Sequence, residues 1–305
     1  MSLRPSNQAP GGSYPLAGQS VARIGFGAMQ LDRLRSNPLD AVALLRRGFE
    51  LGVNHVDTAE FYGNGFANAA IREAMHGMDG IVVVSKVGAD PDPHGPIPLR
   101  LAQRPEQLRQ SVEANLRSLG LEQIPVVNLR RTDVGPGVRA EGDQVIPIED
   151  QLDAMIAMRK EGKIGAFGVS AVNLDSLRKA QPAGVACVQN AYSLVSREFE
   201  AMLEYCVAQA IAWVPFFPLG GAFARMPKVV DQAEVVSIAK ALSVTPAQVG
   251  LAWLLARSPN MMLIAGTASV AHLEENMAVD SVVLDDAMMH RLDAMEVPHT
   301  EHDLR

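Results

Sequence analysis

Eight short apolar runs, each followed by a stretch of helical periodicity, constrain this chain more than any other feature. The runs are Ala22–Phe26, Val53–Asp57, Ile81–Lys86, Val126–Arg130, Ile164–Val169, Val185–Gln189, Ile211–Phe216 and Met261–Ala265. They show little polar alternation, as parallel strands buried on both faces do. Pro38, Pro105 and Pro246 stand where helices begin, Thr245 where one is capped, and Gly120 where one stops. Between Pro105 and Gly120, Leu108, Val112, Leu116 and Leu119 share one helical face. Such alternation builds either a closed barrel or a doubly wound open sheet. No run is followed by the G-x-G-x-x-G turn that marks phosphate binding in the open sheet. No composition break marks a second domain. The expected fold is therefore α/β, a (β/α)8 TIM barrel over residues 21–298. A Gly-, Pro- and Ser-rich tail over 1–20 is expected to end in a hairpin that plugs the barrel, and 299–305 reads as a polar tail. Gly25 and Gly27 form only a G-x-G and read as turn glycines at a strand end.

The 305 residues suit one barrel, which takes about 250 residues or more. A net charge of −7 argues against nucleic acid or an anionic membrane as partner. No apolar stretch reaches the roughly 18 residues of a membrane span, and the first twenty residues lack a secretory core. The expected location is cytoplasmic. Cys187 and Cys206 are too few for a disulfide framework and read as buried thiols. His299 and His302 have metal-like spacing but sit in the polar tail, so no metal site is expected. His55 reads as a packed strand residue. Three long segments, Gly88–Gln103, Asp133–Pro147 and Pro218–Lys228, follow the third, fourth and seventh runs. Loops after the strands of a barrel carry its active site.

The chemistry concentrates at strand ends. Asp57 ends the second run, Tyr62 lies in the loop that follows, and Lys86 ends the third. Neighbouring strand ends converge on one rim. A phenol has an ordinary pKa of about 10. An adjacent ammonium is expected to lower it, while the carboxylate keeps the lysine charged and oriented. A tyrosine so placed can exchange a proton with a carbonyl oxygen as hydride reaches the carbon.

The stretch Asp57-Thr-Ala-x-x-Tyr62-Gly, with Lys86 in Val-Ser-Lys-Val, resembles the signature of the aldo-keto reductase family. Lys160–Ser170, Gln189–Tyr192, Pro215–Gly221, Ile264–Ser269 and Leu273–Asn276 resemble, in order, that family's later segments. The resemblance implies that Asp57, Tyr62 and Lys86 are catalytic. It implies that Ser170 and Gln189 hold a nicotinamide carboxamide. Phe216 would stack on the ring, and Pro218 and Leu219 would follow it in the cofactor site. Gly266, Thr267, His272, Glu275 and Asn276 would surround the adenosine and its phosphates. The implied cofactor is NADPH, with NADH possible, and the implied substrate is a small aldehyde or ketone.

Three positions depart from the family pattern. Arg130 stands where the family has a catalytic histidine, and is assigned the carbonyl oxygen in its place. Ala171 replaces a common asparagine, with Asn173 nearby. His272 replaces an arginine that pairs with the 2′-phosphate, leaving Arg225 and Lys228 as other candidate charges. The histidine's loss also leaves open a nicotinamide-binding sensor or interaction protein of the same fold with little turnover.

Overall fold

The computed structural model describes residues 9–221 and 226–297. Arg225, His299, His302 and the terminal tails over 1–8 and 298–305 lie outside the described residues.

Eight parallel strands form one curled sheet. They are β1 (Ile24–Gly27), β2 (His55–Asp57), β3 (Val82–Val87), β4 (Ile124–Arg130), β5 (Ile164–Ser170), β6 (Val185–Gln189), β7 (Ala212–Trp213) and β8 (Leu263–Ala265). Across the sheet they run β7-β6-β5-β4-β3-β2-β1-β8. A doubly wound sheet reverses its strand order midway; this one does not. The two ends of the row also approach each other. The Trp213 N–H donates to the Asn260 carbonyl at 2.9 Å, and the Met262 N–H to the Trp213 carbonyl at 2.8 Å. The arrangement fits a (β/α)8 barrel.

All eight expected runs hold strands, with shifted ends. Ala22 belongs to an antiparallel hairpin, Ser13–Leu16 with Gln19–Ala22, rather than to β1. The hairpin expected at the end of the tail forms from Ser13 to Ala22. Its Leu16 and Val21 are buried against Val82, Val126, Ala212 and Met262, at the N-terminal ends of the strands. The glycine reading is also corrected. Gly25 and Gly27 lie within β1, where a Cβ on Gly25 would strike the His55 ring and one on Gly27 the Ile264 carbonyl. Crowding inside the curled sheet, not a turn, demands them.

Helices α1 (Pro38–Glu50), α2 (Phe66–Ala74), α3 (Pro105–Leu119), α4 (Ile148–Lys160) and α5 (Leu174–Ala180) come in the first half. Helices α6 (Glu200–Ala208), α7 (Ala233–Leu242), α8 (Pro246–Arg257), α9 (Val270–Met277) and α10 (Asp286–Asp293) complete the set. The expected caps form. The Thr245 hydroxyl accepts the Gln248 N–H at 3.2 Å, and Gln248 reaches back to the Thr245 N–H at 3.0 Å. Gly120 stops α3 with a left-handed φ of +67°. The segment after β3, expected to be irregular, contains a short hairpin of Ala89–Pro91 with Leu99–Leu101. Among the described residues no single helix is long and apolar enough to cross a membrane.

Candidate active site

The site is built from the inward-facing residues that end the strands. Arg130 lies beside Ser170 in register, and Ser170 beside Gln189. Lys86 lies beside Asn128, one inward position below. Tyr62 arrives from the loop between β2 and α2, which turns sharply. There the Tyr62 N–H donates to the Ala59 carbonyl at 3.0 Å and the Gly65 N–H to the Glu60 carbonyl at 2.7 Å. Gly63 and Gly65 take left-handed φ values of +62° and +82°, which glycine adopts at least cost. Arg35 pins the turn by donating to the Gly63 carbonyl.

The expected trio converges. The Lys86 ammonium donates to Asp57 Oδ1 and, at 3.0 Å, to the Thr58 carbonyl. Its Nζ sits 4.9 Å from the centre of the Tyr62 ring. Gln189 Nε2 donates to Asp57 Oδ2 at 2.7 Å, so the carboxylate is held from both sides. Asp57 and Lys86 are only 2% and 5% exposed. Buried charges of this kind persist only when paired and hydrogen-bonded.

The expected direction of the Tyr62 shift is overturned. Burial pushes the hydroxyl above its ordinary pKa, and Asp57 pushes the same way. Lys86 and Arg130 pull it down without reversing the balance. Desolvating a phenolate costs more than one partly neutralised ammonium returns. Tyr62 therefore holds its proton more tightly than a free phenol does. Burial also opposes the Lys86 ammonium, but Asp57 and Tyr62 together carry it above the ordinary lysine value.

Arg130 points into this group. Burial lowers its pKa below the ordinary arginine value, and Tyr62 opposes that shift. Its Nη1 is buried and has no hydrogen-bond partner. Arg131 turns the other way, to Asp133 at 2.9 Å, to the Ile146 carbonyl at 3.2 Å, and to Gln151. The end of β4 is fixed by Gln103, whose Nε2 donates to the carbonyls of Gly88 at 2.6 Å and Arg130 at 2.9 Å.

The residues expected around a cofactor form two groups. Ser170, Gln189 and Phe216 stand at the ends of β5, β6 and the segment after β7. Ser170 is buried, and the fully buried Gln189 leaves its Oε1 without a partner. Half-buried Phe216 is anchored by its N–H to the Asn190 carbonyl at 3.2 Å, edge-on to Phe217. Pro218 and Leu219 follow in a turn closed by the Gly220 N–H on the Phe217 carbonyl at 2.9 Å. The second group surrounds the start of α9. Gly266 is exposed, and the buried Thr267 accepts the Ser269 N–H at 3.0 Å. Ser269 in turn caps α9. His272 is exposed on the first turn, followed by half-buried Glu275 and buried Asn276. Lys228 is exposed. Asn173 is committed elsewhere: its Oδ1 caps α5 on the Ser176 N–H at 2.8 Å. Ala171 takes a left-handed φ of +52°, a conformation that asparagine tolerates better than alanine. Among the described residues no cluster of His, Cys, Asp and Glu could hold a metal.

The sequence reading missed a polar network behind the site. Thr58 Oγ1 donates to Asn68 Oδ1 at 2.7 Å, and Asn68 Nδ2 to Glu60 at 2.7 Å and to Asn115 at 3.1 Å. Ser85 donates to Asn115 at 2.6 Å, and Ser118 to Glu60 at 2.5 Å. The network ties the backbone beside Asp57 and Lys86 to α2 and α3. One signal was available: Asn115 falls on the same α3 face as Leu108, Val112 and Leu119, where a polar residue needs a partner.

The family model described as "Aldo/keto reductase family" matches residues 23–297. The chain belongs to this family. It is thereby an NAD(P)H-dependent oxidoreductase. Pyridoxine 4-dehydrogenase of Escherichia coli is 40% identical over 93% of this chain and 98% of its own length. An uncharacterized oxidoreductase of Schizosaccharomyces pombe is 35% identical over 92% of this chain and 89% of its own. Among solved structures, an aldo-keto reductase of Klebsiella pneumoniae in complex with NADPH superposes with a TM-score of 0.78. It is 26% identical, over 95% of this chain and 97% of its own. In the present chain Asp57, Tyr62 and Lys86 lie together, with Arg130 beside Tyr62.

Proposed function

We propose that the chain is an NADPH-dependent reductase of aldehydes or ketones, carried on one closed (β/α)8 barrel over residues 21–298. The observation that carries this is the buried Asp57–Lys86 pair beneath Tyr62, set next to the unpartnered Gln189 Oε1. An orphaned buried acceptor at a rim calls for a donor from outside the protein, and a carboxamide N–H would supply it. Ser170 would share that group, and Phe216 has the flat apolar surface on which a ring stacks. Pro218 and Leu219 would wall the same side. The amides opening α9, with Gly266, Thr267, His272, Glu275 and Asn276, suit the adenosine end and its phosphates. When bound, NADPH supplies the hydride. Tyr62 gives its proton to the carbonyl oxygen. Lys86 stabilises the charge left on Tyr62, and Asp57 keeps Lys86 charged and in place. Arg130 brings fixed positive charge toward the oxygen as negative charge grows on it.

The test is NADPH oxidation against a panel of carbonyl compounds. Pyridoxal belongs in it, because a similar protein is named for pyridoxine. Turnover of at least one member is expected. Tight NADPH binding without turnover would favour the sensor reading, and absence of NADPH binding would sink both.

A further inference from the structure

Arg130 is the anomaly of the site. Its cation lies inward, its Nη1 is shut away from water, and no carboxylate pairs with it among the described residues. Asp57 and Asp133 are committed to other partners. Asp57 is held by Lys86 and Gln189, and Asp133 by Arg131. At the strand end the Arg130 and Gly88 carbonyls accept from Gln103. Gly137 approaches the other Nη, where even a Cβ would sit 3.1 Å away. Arg130 as a whole is half-buried, but a buried guanidinium nitrogen left without a partner is costly. Reducing a simple carbonyl does not require this cost, because Tyr62 already donates to the oxygen. The cost is recovered if the substrate brings an anion of its own.

Resting on the carbonyl-reductase reading, we propose that Arg130 selects carbonyl compounds bearing a second, acidic oxygen close to the carbonyl. Tyr62 takes the carbonyl oxygen and the free Nη1 takes the acidic one. The two compound types with this chemistry are ortho-hydroxy aromatic aldehydes and 2-oxo acids. The second oxygen makes and breaks no bond in the reaction. It aligns the carbonyl and neutralises the guanidinium. A histidine at this position would give a weaker preference, because guanidinium is permanently charged and forked toward oxygen anions.

The experiment compares matched substrates on the whole protein: 2-hydroxybenzaldehyde with benzaldehyde, and glyoxylate with acetaldehyde. A charge-assisted hydrogen bond in a desolvated site is worth roughly 10- to 100-fold. The acidic member of at least one pair should be favoured by that factor in kcat/KM. Arg130→Met should erase the preference, and Arg130→Lys should keep part of it. A second readout needs no turnover. With NADP⁺ bound, 2-hydroxybenzaldehyde should show phenolate absorbance at a pH where the free compound is protonated. The Met variant should lose that band. Which pair responds distinguishes the two compound types. Equal kcat/KM within both pairs for the wild type would overturn the proposal, as would a preference unchanged in Arg130→Met. If no carbonyl is reduced at all, the reductase reading fails instead. Should the Met variant not fold, the wild-type ratios and the phenolate band still decide.

Discussion

Burial raises the pKa of Tyr62, and in the proposed mechanism that keeps the phenol protonated for the carbonyl oxygen. General acid catalysis is typically worth 10²–10⁴-fold. Tyr62→Phe is accordingly expected to slow reduction by about 100-fold or more while leaving NADPH affinity nearly unchanged. Wild-type turnover in that variant would remove Tyr62 from the mechanism. His55 makes a different kind of prediction. It is buried inside the sheet against Gly25, and burial pushes its pKa down to about 4 against weak opposition from the Ala22 backbone. The unfolded chain binds the proton more readily, with an ordinary pKa near 6.5. The stability gained by keeping His55 neutral is thus fully present above about pH 6.5 and is lost as pH falls toward 4. The loss amounts to about 3 kcal/mol. Urea unfolding at pH 7 and pH 5 should show about 2 kcal/mol of it, and His55→Leu should flatten the difference. A variant with the same pH dependence as wild type would assign the effect to other groups.

At the scale of elements, α3 does more than cover the sheet. Its Asn115 bridges Ser85 on β3 and Asn68 on α2, and that network reaches the backbone carbonyl to which Lys86 donates. Asn115→Leu leaves the buried Ser85 hydroxyl without its acceptor and takes one partner from Asn68, and is expected to cost about 1–3 kcal/mol in urea unfolding. It should also lower kcat more than it raises KM, since it loosens the support of the acid rather than the substrate walls. A change confined to stability would show that the network only holds the helices. Helix α9 is proposed to hold the phosphate end of the cofactor. With His272 exposed on its first turn in place of an arginine, the margin for NADPH over NADH is expected to be modest, about 1–2 kcal/mol. His272→Arg should widen it, measured by titrating both cofactors. An unchanged ratio would place the 2′-phosphate elsewhere.

At the scale of the whole molecule, the described residues form a curled sheet with a hairpin at one end and the candidate site at the other. The N-terminal hairpin buries Leu16 and Val21 beneath the strands, as far from the rim as the sheet allows. Leu16→Ala removes a fully buried side chain, at an expected cost of about 2–5 kcal/mol. Turnover per folded molecule should be unaffected. A kcat that falls along with stability would mean that the two ends are coupled.

Much of this was legible in the residues alone, for a physical reason. Parallel strands covered on both faces must be apolar throughout, so each strand announces itself locally, and eight of them alternating with helices leave few architectures. Strand ends place their inward residues on one rim, which made Asp57, Tyr62 and Lys86 readable as a group. What only the tertiary structure decided depends on neighbours remote in sequence. Gln189 grips Asp57 from 132 residues away. Gly25 and Gly27 are glycines because His55 and the Ile264 carbonyl occupy the space a side chain would need. Strand alternation sends Arg130 and Arg131 opposite ways, and Asp133 with Gln151 holds Arg131 where it lands. The direction of the Tyr62 shift is the clearest case. Adjacent residue types name the charges that act on a phenol, but the dominant influence is how much water the fold removes, and that is a property of the packed whole.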